Sequence, residues 1–210
     1  MGSLWPRPIA EILEAVASRR PAPGGGATAA LTAAFGVALL SMALKITVKK
    51  NGEDAELGRT LGRLTELREQ LQAQADEDVQ VFDTYVRATR LPDKTEEDRQ
   101  EHDGALKAAG QAAMEVPLKL ARTVVEAMNL TPSLIRKVHS VVVSDVGAGA
   151  AILEGALHAS LLTVEINLPH VTAEDRVAIQ TERDILEAQG KRLVTETLNL
   201  TRERLREAHP

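Results

Sequence analysis

From Ala27 to Leu44 the chain runs for 18 residues without a charge, ATAALTAAFGVALLSMAL. That length sits at the lower limit for crossing a bilayer. Most of the run is Ala, Thr, Ser and Gly, residues that gain little in lipid. A helix that is small and apolar on every side suits the centre of a bundle, where neighbouring backbones approach closely. The expectation is an all-α, single-domain bundle spanning residues 1–210, with long helices around this buried central helix and no membrane span. Aromatic residues make up only 2%, namely Trp5, Phe35, Phe82 and Tyr85, which leaves little material for a barrel or sandwich core.

Helical periodicity is visible nearly throughout, and only LTVEINL (162–168) alternates like a strand. A first helix is expected over 6–19, ending at the Pro21 and Pro23 pair. A second follows the glycines to about Lys49, and a third starts beyond Asn51-Gly52 and runs to about Arg90. Thr95 with Asp98 makes a capping-box start for a fourth helix, which Pro117 is expected to kink or divide. Thr131-Pro132 reads as an N-cap followed by proline at the first helical position, opening a fifth helix through 134–161. Thr172 with Asp175 caps the last.

Several chemistries are excluded by what the chain holds. It has no cysteine, so thiolate nucleophiles, disulfides and Cys-zinc sites are out, and a cytoplasmic setting is expected. Net charge is −5 with bases and acids interspersed, which argues against nucleic acid or an anionic membrane as partner. The N-terminus lacks the basic start and apolar core of a signal peptide. His102, His139, His158, His170 and His209 are scattered, with no H-E-x-x-H, so no metal site is expected. There is no G-x-S-x-G nucleophile elbow.

PAPGGGATAAL (21–31) satisfies the relaxed G-x-G-x-x-G/A spacing through Gly24, Gly26 and Ala29. A dinucleotide fingerprint needs a strand before its first glycine, and the preceding IAEILEAVASRR is helical, so that reading fails. Pro23, Gly24, Gly25 and Gly26 then form either a flexible joint, or a place where a ligand touches backbone at a helix N-terminus.

In the third helix Leu57, Leu61, Leu64, Arg68, Leu71, Ala75, Asp78, Phe82 and Tyr85 step by three and four into one seam. Asp76 and Glu77 fall outside it and read as solvated. Asp78 falls on the face that should be buried. Either it pairs with a base such as Arg68, or burial raises its pKa toward the range useful for proton transfer. Asp145, after Ser144 and before a run of small residues, reads as a polar pin between helices or as a ligand contact. Lys49 and Lys50 either complement the dipole of the second helix or meet an acidic ligand.

The order PAPGGGATAAL, a small apolar helix, KK, DEDVQVFDTYVRATRLP, EVPLKLA, SD and INL resembles the cyclodeaminase/cyclohydrolase family of folate enzymes, over roughly residues 6 to 205. The resemblance implies an all-helical homodimer or larger assembly acting on a tetrahydrofolate derivative as substrate, without a further cofactor. The reaction implied is formation of the 5,10-methenyl bridge from formiminotetrahydrofolate or its hydrolytic opening, the alternative being a folate-binding or scaffold protein without chemistry. In the family's Asp-x-Asp-x-x-x-Phe segment the second aspartate is regarded as catalytic, and it matches Asp78. The resemblance implies a folate site lined by the glycine block, Pro23, Gly24, Gly25 and Gly26; for such a ligand Ser144, Asp145 and Asn167 are expected to hold the pterin or the bridge, and Lys49 and Lys50 to meet the glutamate tail. His139 stands where the family usually has Asn, and Thr163 begins the segment that the family writes Asn-Val-x-Ile-Asn.

Overall fold

The structure, a computed structural model, describes residues 2–52 and 54–208. Among them are six helices and no strand: α1 (Ile9–Ala17), α2 (Gly25–Asn51), α3 (Ala55–Ala88), α4 (Glu96–Lys137), α5 (Val143–Asn167) and α6 (Ala173–Ala208), with 3-10 turns at Ser140–Val142 and Leu168–His170. Helices α2, α3, α4 and α5 close into a ring in which each packs on the next, and α6 docks against α4 and α5.

The central position of α2 follows from its small side chains. Ala27, Ala30, Ala33, Val37, Leu40, Ala43 and Leu44 are fully buried, contributing to one continuous core. Close approach to α5 is reciprocal. A Cβ on Gly36 would lie 3.3 Å from the Gly149 carbonyl oxygen, and one on Gly149 would lie 3.2 Å from that of Gly36. Length and composition would let α2 and the 140–170 segment cross a membrane, but 67% of the apolar window of α2 is buried by its own neighbours.

Residues 162–167 of LTVEINL form the last part of α5 and Leu168 opens the 3-10 turn, so the alternating stretch is helical as the all-α expectation requires. Two expectations differ from what is found. The first helix is shorter than expected, beginning at Ile9 and ending at Ala17. The break expected at Thr131-Pro132 is absent, because α4 runs through both Pro117 and Pro132 to Lys137. Each proline removes the N–H that would bond the carbonyl four residues earlier. The fold supplies a replacement donor in both cases. Asn167 Nδ2 donates to Ala113 O at 3.0 Å, and Thr131 Oγ1 donates to Met128 O at 2.8 Å. With those carbonyls satisfied, the helix continues. It ends at Val138, whose ψ of 150° is extended, and the His139 N–H then donates to Thr47 Oγ1 on α2 at 2.9 Å.

The expected caps form at Thr95–Asp98 and at Thr172, whose Oγ1 accepts from Asp175 N.

Candidate functional site

Asp78 lies in the seam of α3 where the sequence places it, half-buried, with Ala75 and Val79 buried beside it. Its Oδ2 accepts a hydrogen bond from Ala27 N at 2.8 Å. That amide is one of the first donors of α2, which have no partner inside their own helix. Burial pushes the Asp78 carboxyl above its usual range, and the Ala27 bond opposes this only in part. Among the described residues no base pairs with it. Arg68 is ten residues back along α3, about 15 Å at the helical rise, and its Nε is buried without a hydrogen-bond partner. The reading of Asp78 as the partner of Arg68 is therefore overturned.

Gly26 explains much of the glycine block. A Cβ there would overlap Asp78 Oδ1 and lie 2.7 Å from Asp78 Cγ, so the carboxylate rests directly on bare backbone. No residue of the block has a positive φ, so close approach, not turn geometry, is what requires glycine at 26. Gly25 is less constrained, since a Cβ there would sit 3.8 Å from Thr163 Oγ1. Pro23 follows a cis peptide bond and lines a neighbouring groove beyond the loop.

A cavity of about 350 Å³ opens in front of Asp78. Gly24, Gly25 and Gly26 form one wall, Phe82 and Tyr85 from α3 a second, Ala113 and Val116 from α4 a third, and Thr163, Ile166 and Asn167 from α5 close it. Asp78 is the only ionisable carboxylate in this lining, and no Lys, Arg or His contributes to it. Asn167 gives both its amide donations to carbonyls, Ala113 O and Thr163 O. Its Oδ1 accepts from no described residue and is available to a ligand.

The structure thus brings together Asp78, Gly24, Gly25, Gly26 and Asn167. It does not bring Lys49, Lys50, Ser144 or Asp145 to them within one chain. Because α2 and α5 run antiparallel, these four lie at the far end of the bundle, about 33–36 Å away at 1.5 Å per residue. His139 is also at that end, where its Nδ1 accepts from Val141 N and caps the 3-10 turn. Asp76, expected to be solvated, is half-buried and accepts Leu4 N at 2.8 Å, which together with the bond from Trp5 Nε1 to Gln72 O fastens the N-terminal segment to α3. Glu77 pairs with Lys119. Sequence reasoning missed Tyr85 and Thr163 as cavity residues. Tyr85 belonged to the seam, and its spacing from Asp78 by two helical turns was the available signal. A larger open cleft of about 610 Å³ between α5 and α6 is lined by Glu165, Gln180, Arg183 and Asp184. Its charges are engaged with one another, Arg183 bridging Glu165, Asp184 and Glu187.

A family model described as formiminotransferase-cyclodeaminase matches residues 8–185. The chain belongs to this family. It is 33% identical over 162 residues to a methenyltetrahydrofolate cyclohydrolase from Methylorubrum extorquens, a match covering 76% of this chain and 78% of that protein. It is 34% identical over 174 residues to the formimidoyltransferase-cyclodeaminase of Gallus gallus, covering 80% of this chain but 32% of that longer protein. The chain thus spans about a third of the length of such relatives. In fold it matches a formiminotetrahydrofolate cyclodeaminase from Thermotoga maritima with a TM-score of 0.85 at 24% identity, covering 96% of this chain and 98% of the other.

Proposed function

We propose that this family member is a tetrahydrofolate one-carbon enzyme that makes or opens the 5,10-methenyl bridge, acting as a formiminotetrahydrofolate cyclodeaminase or a methenyltetrahydrofolate cyclohydrolase. The observation that carries the reading is the lone carboxylate of Asp78 in a cavity walled by two of the chain's few aromatic rings and free of bases. Such a site favours a delocalised cation. The methenyl bridge is an amidinium whose positive charge is shared by two nitrogens, and a protonated formimino group has the same character. A carboxylate shielded from water attracts that charge strongly, and the ring faces add cation–π attraction.

One carboxyl can serve both chemistries. In the cyclodeaminase, the aryl-amine nitrogen attacks the protonated formimino carbon, Asp78 takes the proton that this nitrogen loses, and it passes that proton to the amino group as the carbon–nitrogen bond breaks and ammonia leaves. In the cyclohydrolase, water adds to the methenyl carbon while Asp78 takes its proton. The proton is then returned to N5 as its bond to the carbon breaks, and the hydroxyl on that carbon loses its own proton to solvent as it becomes the carbonyl of 10-formyltetrahydrofolate. A carboxyl raised by burial is suited to both directions of transfer, which contribute on the order of 10²–10⁴-fold. The Gly25 and Gly26 backbone at the start of α2 suits a carbonyl oxygen, and Asn167 Oδ1 suits a ring N–H.

The proposal includes one unit over residues 1–210, no cofactor beyond the folate substrate, a cytoplasmic setting, no nucleic-acid or membrane partner, and a homodimer. Ile9, Leu13 and Phe35, each more than half exposed on α1 and α2, support an apolar contact between copies. Lys49, Lys50, Ser144 and Asp145 would contact substrate only from a second copy.

Absorbance of the methenyl chromophore tests the function. A gain with formiminotetrahydrofolate identifies the cyclodeaminase, and a loss with methenyltetrahydrofolate above the buffer rate identifies the cyclohydrolase. No change with either substrate overturns the proposal.

A further inference from the structure

His170 lies outside the cavity lining and carries no role in the chemistry above, yet its placement is unusually constrained. It ends the 3-10 turn that follows α5 directly after Asn167. Its imidazole meets the ring of Tyr85 edge to face, with centroids 5.2 Å apart and planes at 63°. Room for it on α4 depends on Gly110, where a Cβ would lie 2.9 Å from His170 Cβ and 3.6 Å from His170 O. One turn further along α4, Ala113 O receives the amide of Asn167. The turn is therefore held against α4 at two points, and the imidazole is presented to Tyr85 from a fixed base.

Tyr85 needs such a support. Its ring lines the cavity, but its hydroxyl makes no hydrogen bond to a described residue. An aromatic side chain at a cavity wall with no polar anchor can turn about its Cα–Cβ bond unless something packs against it. Edge-to-face contacts between rings hold a preferred orientation.

We propose that His170 is a positioning residue for ligand binding: acting through the Tyr85 ring, it fixes the aromatic wall on which a flat conjugated ligand rests. The inference rests on the proposed folate reading for the identity of that ligand, and it places His170 in binding and not in proton transfer. The imidazole touches Tyr85 and leaves the cavity to the tyrosine.

The test is calorimetric titration with 5-formyltetrahydrofolate, a reduced folate that undergoes neither reaction, alongside steady-state kinetics. His170→Ala should weaken binding about 3–10-fold, the range an aromatic pair supports, with kcat and melting temperature unchanged. His170→Phe, which keeps a ring in place, should bind like the wild type. In a Tyr85→Ala background, His170→Ala should have no further effect, because the two act as one unit. Equal losses in the Phe and Ala variants, full additivity with Tyr85→Ala, or a fall in kcat with unchanged binding would each overturn the inference. Wild-type binding without turnover of either substrate would refute the enzymatic reading while leaving this one readable from the affinities. No binding by the wild type would overturn this inference, while the enzymatic reading stands or falls by turnover of the two substrates.

Discussion

Replacing Gly26 with alanine separates catalysis from stability at a single methyl group. The added Cβ would overlap Asp78 Oδ1 and come within 2.7 Å of Cγ, so the carboxylate must swing off the start of α2 and release Ala27 N. Losing a hydrogen bond to an ionised group costs about 1.5–3 kcal/mol. Two effects offset it: alanine is favoured over glycine in a helix by about 0.8–1 kcal/mol, and the displaced carboxylate regains water. The net change in stability is expected to be within about 2 kcal/mol, or a few degrees in melting temperature for a chain of this size. Turnover should instead fall about 10²–10⁴-fold, since the group that moves the proton is no longer where the bridge binds. Gly25→Ala is the comparison: its Cβ reaches only ordinary contact with Thr163 and leaves Asp78 in place, so its effect on the cavity wall should fall on KM and not on kcat. In an Asp78→Asn background, Gly26→Ala should cost no further activity. The assay is the methenyl absorbance change, read beside a thermal melt. Near-wild-type turnover in Gly26→Ala with an intact fold would refute the placement of Asp78 in catalysis.

Other consequences concern stability. The Asp78 carboxyl is raised by burial, so the native state holds its proton at higher pH than the unfolded chain does. Stability from this group is present at low pH and is lost as pH rises through the raised native value. Asp78→Asn, which keeps an acceptor for Ala27 N, should gain in melting temperature relative to the wild type as pH goes from about 4 to 7. Thr131→Val should lower stability by about 1–3 kcal/mol in a denaturant titration, because it leaves Met128 O without the donor that lets α4 pass Pro132. Gly190→Ala should destabilise by about 1–3 kcal/mol through overpacking, since its Cβ would overlap Leu157 Cδ2 across α5 and α6.

The seam of α3 made Asp78 legible, because a charge at a buried register position is a local signal that survives without coordinates. The central place of α2 was legible for the same reason, in its unbroken small residues. What stayed hidden depends on residues far apart in the chain. The need for glycine at 26 comes from a carboxylate 52 residues later. The passage of α4 through Pro117 comes from Asn167, and nothing near Pro117 announces it. Thr131-Pro132 has the pattern of a helix start, and the same threonine hydroxyl instead repairs the helix it was expected to begin. Lys49, Lys50, Ser144 and Asp145 carry polar groups suited to a ligand, but the antiparallel packing of α2 on α5 sends them to the opposite end from Asp78.

The central claim is that Asp78 moves the proton at the one-carbon bridge, and that a reduced folate without a cationic bridge is held without its charge. The most direct measurement is on Asp78→Asn, with turnover followed by methenyl absorbance and binding followed by calorimetric titration with 5-formyltetrahydrofolate. Turnover should fall about 10²–10⁴-fold with 5-formyltetrahydrofolate still bound. Turnover near that of the wild type would contradict the claim.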